Sequence, residues 1–136
     1  MIIRLDVVPM GKPRMTQRDK WNKRPVVKRY YAYCNELKLK WPRDVVFPAS
    51  GAHIRFNLPM PKWANEKGKR RRMNGRGHQQ TPDVDNLVKA FLDALHTNDA
   101  HIWSLSAEKR WAYEGSIIVR LPERCIKHSV HIQRHR

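Results

Sequence analysis

Three aspartates fall within eleven residues of the stretch TPDVDNLVKAFLDAL, residues 81–95: Asp83, Asp85 and Asp93, with Asp99 close behind. Lys89 stands four residues after Asp85 and four before Asp93. If Val84 is extended, it points inward and the carboxylates of Asp83 and Asp85 leave the same side of the backbone. Such a pair offers hard oxygen ligands at a strand-to-helix corner, a set that suits Mg²⁺ or Mn²⁺, which keep several waters. A lysine one helical turn away can meet a phosphate or the negative charge that develops on it. The same spacing also describes a helix cap followed by a surface charge ladder. Spacing alone favours the cap and ladder, because Asp-x-Asp by itself is a weak motif.

Composition narrows the gap between the two readings. The chain has 136 residues with 28 Lys and Arg against 12 Asp and Glu, a formal net charge of +16. A polyanionic partner follows, most simply nucleic acid. Bare carboxylates would repel that partner unless a divalent cation neutralises them. No basic amphipathic helix with a clean apolar face points to a membrane surface. No apolar run approaches the roughly 20 residues of a membrane span. MIIRLDVVP has the look of a first strand and not of a signal peptide. Cys34 and Cys125 lie far apart and in no metal-like spacing, as expected of reduced thiols in a cytoplasmic protein. The seven histidines show no zinc spacing, and there is neither a nucleotide-binding glycine motif nor a nucleophile elbow.

The length fits one domain with a core of its own. Strands are expected at 2–8, 51–59, 101–111 and 116–121, with the last two forming a hairpin. Tyr30, Tyr33 or Cys34, Leu37 and Trp41 recur at helical intervals and predict a helix from Val26 to about Trp41, stopped by Pro42. Leu87, Phe91 and Leu95 predict a second from Asn86 to about His96, capped by Asp85. The expected architecture is a two-layer α+β domain over residues 1–121, with a mixed sheet and two main helices, followed by a basic tail over 122–136.

Two basic segments interrupt these elements. Residues 11–25 carry Lys12, Arg14, Arg18, Lys20, Lys23 and Arg24, with Trp21 among them. Residues 67–80 carry Lys67, Lys69, Arg70, Arg71, Arg72 and Arg76 and three glycines. The second is expected to be unpacked and mobile in the free protein. Both are read as phosphate-contacting loops. Trp21 and Trp63 could stack on bases, but a packing or anchoring role is the stronger reading for each.

The stretch around Asp83 resembles the signature of the RusA family of Holliday junction resolvases, small nucleases of phages and prophages. The family pattern is Pro-Asp-x-Asp-Asn-Leu-x-Lys followed by Asp-Ala-Leu. Pro82, Asp83, Asp85, Asn86, Leu87, Lys89, Asp93, Ala94 and Leu95 match it. GKPRMTQRDKW also looks like the basic N-terminal loop of phage-type members. The resemblance implies a homodimer that cuts four-way DNA junctions by paired nicks, with Mg²⁺ as cofactor and Mn²⁺ as a substitute. It implies catalytic roles for Asp83, Asp85, Lys89 and Asp99, with Asp83, Asp85 and Asp99 as metal ligands. The family has an Asp-Asp pair before the next strand where this chain has Asn98-Asp99, and the loop from Asp93 to Asp99 is shorter. Asp93 is the substitute ligand if that alignment slips, with Glu108 a more distant one. A non-catalytic basic nucleic-acid-binding module and a nuclease for other branched DNA are the competing readings.

Overall fold

Alternation along the central strand decides which face of the sheet is covered. In the computed structural model, residues 1–65, 68–97 and 99–125 are described. Along β2 (Ala52–Pro59), Ala52, Ile54, Phe56 and Leu58 are buried, as are Ile3 and Leu5 on β1 (Ile2–Leu5) and Ile117 and Val119 on β4 (Ser116–Arg120). These residues form one cluster with the apolar stripes of two helices. Helix α1 (Pro25–Lys40) contributes Tyr30, Tyr33, Cys34 and Leu37, and α3 (Val84–Ala94) contributes Leu87, Ala90, Phe91 and Leu92. The result is the expected two-layer α+β domain, with the helices on one face of a four-stranded mixed sheet.

Local chemistry places the helix ends. Pro25 occupies the first turn of α1, where its missing N–H is no loss. Trp41 turns extended ahead of Pro42 and ends the helix. Its partly buried ring then packs against the core. Phe91 meets Trp41, Phe47 and Phe56 with ring centroids 6.1, 6.3 and 6.3 Å apart, all edge to face. This aromatic group fixes α3 both to the sheet, through Phe56, and to the end of α1, through Trp41.

The strand order is β1-β4-β2-β3, with β3 spanning Leu105–Ala112. The last two strands are therefore not the hydrogen-bonded hairpin expected from the sequence. β2 lies between them, parallel to β3 (Ala52 opposite Leu105) and antiparallel to β4 (His53 opposite Arg120). Residues 113–115 carry the chain across the end of β2 instead of folding it back on β3. Gly115 permits the close passage, since a Cβ there would stand 2.8 Å from the Cα of Val8.

The basic segment after β2 is more ordered than its composition suggests. Lys69–Met73 form a one-turn helix, α2. Met73 packs against a satellite cluster of Met60, Ala64 and Trp111, and the Lys69 ammonium lies 4.8 Å from the ring centre of Trp63. A single methionine and two tryptophans dock a segment whose charge argued for disorder. The tail expected over 122–136 lies outside the described residues from 126 onward. Cys125 is buried, and its carbonyl accepts a 2.8 Å hydrogen bond from the Val46 amide. Among the described residues no helix is long and apolar enough to cross a membrane.

Candidate active site at the start of α3

The corner that carries the carboxylates is built from the edge of the sheet. β3 is an edge strand, and residues 75–78 run antiparallel along its open side. The Gly75 amide donates to the Trp111 carbonyl at 2.8 Å, the Trp111 amide to Arg76 at 2.9 Å and the His78 amide to Lys109 at 3.0 Å. The His78 ring is buried and lies 4.2 Å from that of Trp111. Burial, and then the nearby Lys109 charge, lower the pKa of His78, so it is held neutral. This strap leads directly to Pro82 and Asp83.

Lys109 ties the end of the strap down. Side chains 105, 107, 109 and 111 of β3 share the helix-facing side, so a lysine stands in an otherwise apolar row, opposite Phe56. Its ammonium donates to the carbonyl of Pro82 at 2.8 Å and to that of Gln80. The lysine converts an inward strand position into a tether for the loop one residue ahead of Asp83. This residue escaped the sequence reading, although the imperfect alternation of 101–111 was its signal.

Asp83, not Asp85, is the cap of α3. Asp83 has an extended backbone (φ −67°, ψ 149°), and its carbonyl accepts from the Leu87 amide at 3.1 Å. Val84 is the first helical residue and is 37% exposed, so the expected extended, inward-facing Val84 is corrected. Both residues were acceptable starts by type; the chain turns helical two residues earlier than expected. The Asp83 carboxylate makes no capping bond. Asp83 and Asp85 are both exposed, and neither has a hydrogen-bond or ion-pair partner among the described residues.

Asp93, by contrast, is engaged. Its two oxygens lie 3.3 Å from the Lys12 ammonium and 3.6 Å from that of Lys89. The Lys12 carbonyl accepts from the Asn86 side chain at 3.4 Å. The first basic loop is thus fastened along α3. Gly11 makes the fit possible, since a Cβ there would lie 2.4 Å from the Asn86 side-chain nitrogen and 3.3 Å from Pro82. Asp99 opens a short helical turn, Asp99–His101, but its side chain and all of Asn98 lie outside what is described. Glu108 is remote from this corner in its bonding. It faces the open side of the sheet, bonded to Arg110 and, at 2.8 Å, to His53, and those bonds lower its pKa.

The basic residues divide by engagement. Arg24 is bonded to the buried Asp19 carboxylate at 3.1 Å and to the Arg14 carbonyl at 2.6 Å. Those bonds hold the Asp19 carboxyl far below the usual carboxylate range. The Thr16 amide and hydroxyl also donate to Asp19. Asp19 therefore folds the loop, a role the sequence reading missed. Arg14, Arg18, Lys20 and Lys23 remain exposed around it, with Trp21 90% exposed at the tip. Arg71, Arg72 and Arg76 are exposed, while Lys69 and Arg70 lie against Trp63 and Tyr113. Lys67 lies outside the described residues. Trp63 is partly committed to packing, 6.4 Å from Trp111.

Two unengaged carboxylates with a lysine one turn on, in a strongly basic chain, are the equipment of a phosphodiester hydrolase. The family model described as endodeoxyribonuclease RusA matches residues 5–122. The chain belongs to the RusA family of endodeoxyribonucleases. No curated protein and no solved structure matches it.

Proposed function

We propose that this protein is a divalent-metal-dependent endodeoxyribonuclease that resolves four-way DNA junctions by paired symmetric nicks, as a homodimer acting in recombination and repair in a bacterial host cytoplasm. The observation that carries the reading is the corner at Asp83 and Asp85, where two exposed carboxylates stand without partners in a family of endodeoxyribonucleases. Uncommitted carboxylate oxygens with open surroundings fit Mg²⁺, and Mn²⁺ by the same donor set. Among the described residues no cluster of three or more such ligands occurs. Asp83 and Asp85 would hold the ion with Asp99 as the third ligand. The ion would supply a lowered pKa for the attacking water and charge to stabilise the departing oxygen.

The remaining roles belong to this chain's own residues. Water adds to phosphorus and the bond to the 3′ oxygen breaks, leaving 5′-phosphate and 3′-hydroxyl ends. Lys89 sits one turn beyond Asp85, where its ammonium counters charge on the phosphoryl oxygens. Asp93 orients that ammonium together with Lys12. Exposed cations of the two basic segments, Arg14, Arg18, Lys20 and Lys23 on one and Arg71, Arg72 and Arg76 on the other, grip phosphates of the arms. A twofold-symmetric junction calls for two active sites related by the same symmetry, one in each subunit.

The test is a synthetic four-way junction incubated with and without Mg²⁺, beside flap and linear duplex controls. The wild-type chain is expected to make symmetric nicks in the junction only with the metal. Asp83→Asn and Asp85→Asn are expected to abolish nicking while binding survives. A variant that still nicks sinks the site, wild-type binding without cutting favours a non-catalytic module, and preferential flap cleavage moves the substrate to another branched DNA.

A further inference from the structure

A groove runs along the interface of α1 and α3, past Lys89 and Asp93. Its first part has a volume of about 620 Å³ and is lined by Lys12, Lys89 and Asp93 on one side and Tyr31, Asn35 and Lys38 of α1 on the other. A second part of about 670 Å³ continues past the end of α3 to Arg43 and His101. Lys38, His96 and Thr97 line both parts, so the two adjoin. Neither basic segment singled out by the sequence contains Lys38 or Arg43, and both side chains are exposed.

We propose that this groove is the path of one DNA strand on the side of the catalytic corner away from α2, with Lys38 and Arg43 as phosphate contacts; the inference rests on the nuclease reading above. Three observations carry it. The first is charge. Among the described residues the one carboxylate on the groove wall is Asp93, which lies between Lys12 and Lys89, while Lys38 and Arg43 add cations that make no ion pair with a described residue. The second is continuity. Asp85, Lys89 and Asp93 lie on one stripe of α3, so the groove begins on the same helix face as a candidate metal ligand. Eight residues of helix at 1.5 Å each place Asp93 about 12 Å from Asp85. That is about three to four nucleotide steps along a duplex strand at 3.4 Å per step. The third is the character of the wall. Tyr31 is 46% exposed, and its ring lies 5.7 Å from the Lys23 ammonium, so a stacking surface and a cation stand together at the groove's edge. Strong positive charge with an aromatic face suits a nucleic-acid backbone and not an apolar ligand.

The experiment measures binding of a fluorescent four-way junction in EDTA, across a range of salt, for the wild-type chain, for Lys38→Gln with Arg43→Gln, and for Arg4→Gln with Arg120→Gln on the open face of the sheet. The groove pair removes two phosphate contacts, so the slope of log K against log salt is expected to flatten by about 1.8. The sheet-face pair, an equal charge change, is expected to leave the slope where it was. A groove pair with the wild-type slope overturns the proposal, as does a sheet-face pair that flattens it equally. Either result beside a wild-type chain that still binds and nicks leaves the active site intact. A wild-type chain with no salt-dependent junction binding overturns the groove and the nuclease reading together.

Discussion

Lys109→Met isolates the tether that positions the candidate catalytic corner. The substitution keeps an unbranched side chain on β3 and deletes the ammonium that donates to the Gln80 and Pro82 carbonyls. Hydrogen bonds from a charged donor contribute about 1.5–3 kcal/mol each when sheltered. Here the Gln80 carbonyl is exposed and water can replace the lost donor, so the two bonds together are expected to be worth about 2 kcal/mol. With an unfolding entropy of about 2.1 cal/mol/K per residue over roughly 120 residues, that loss lowers Tm by about 8 °C. The functional effect is larger than the loss of stability. Pro82 directly precedes Asp83, and a misplacement of about 1 Å in a reacting geometry costs about 100-fold in rate. Single-turnover junction cleavage with Mg²⁺ is therefore expected to fall about 100-fold, while junction affinity measured in EDTA changes little. Lys109→Arg, which keeps a donor in reach of the loop, is expected to recover part of the rate. A Lys109→Met chain that melts about 8 °C lower but cleaves within about threefold of wild type refutes the positioning argument and leaves a merely structural bond.

Other perturbations follow from the same structure. Phe91→Ala removes a fully buried ring with three edge-to-face neighbours and is expected to cost about 4 kcal/mol, or about 16 °C in Tm, read by circular dichroism. His78 is held neutral, so the unfolded chain takes up its proton at a higher pH than the folded one. Its contribution to stability is full above the ordinary value of 6.5 and declines as pH falls below it. Urea midpoints at pH 7.5 and 5.5 are expected to differ more in wild type than in His78→Phe. Asp19→Asn removes the carboxylate that Arg24 and Thr16 bind, and trypsin is expected to cut faster within residues 14–24.

The sequence revealed those parts of the molecule that depend on local pattern. Helical spacing through Tyr30, Tyr33 and Leu37, and through Leu87 and Phe91, located both main helices because each buries one stripe. Family membership was legible at the Asp83 corner because residue types and their order carry the family pattern there. The neighbours of each strand were not, since a link as short as 113–115 reads as a hairpin unless something shows that β2 will occupy the place between. Nor was the docking of α2, where Met73 and two tryptophans outweigh a run of cations through contacts made elsewhere in the chain. Lys109 was hidden for the same reason. A charged residue on a strand says nothing of the carbonyls that will come to it, and these arrive from a strap 27 and 29 residues earlier in sequence.

The strand order also dictates a sequence of assembly. Among the described residues β1 has a single neighbour, β4, and its register joins Ile2 to Arg120 and Leu5 to Ile117. β2 gains both of its neighbours only when β3 and β4 exist. A chain emerging from the ribosome can therefore form its two main helices early but has no sheet to lay them on until residues beyond 105 are available. Closing such distant pairs carries most of the loop entropy before contacts repay it, which makes folding slow for a domain of this size. Because the strap that leads to Asp83 is bonded to β3, the candidate corner takes shape only once β3 has been made, and a product lacking β3 carries the aspartates without the frame that positions them.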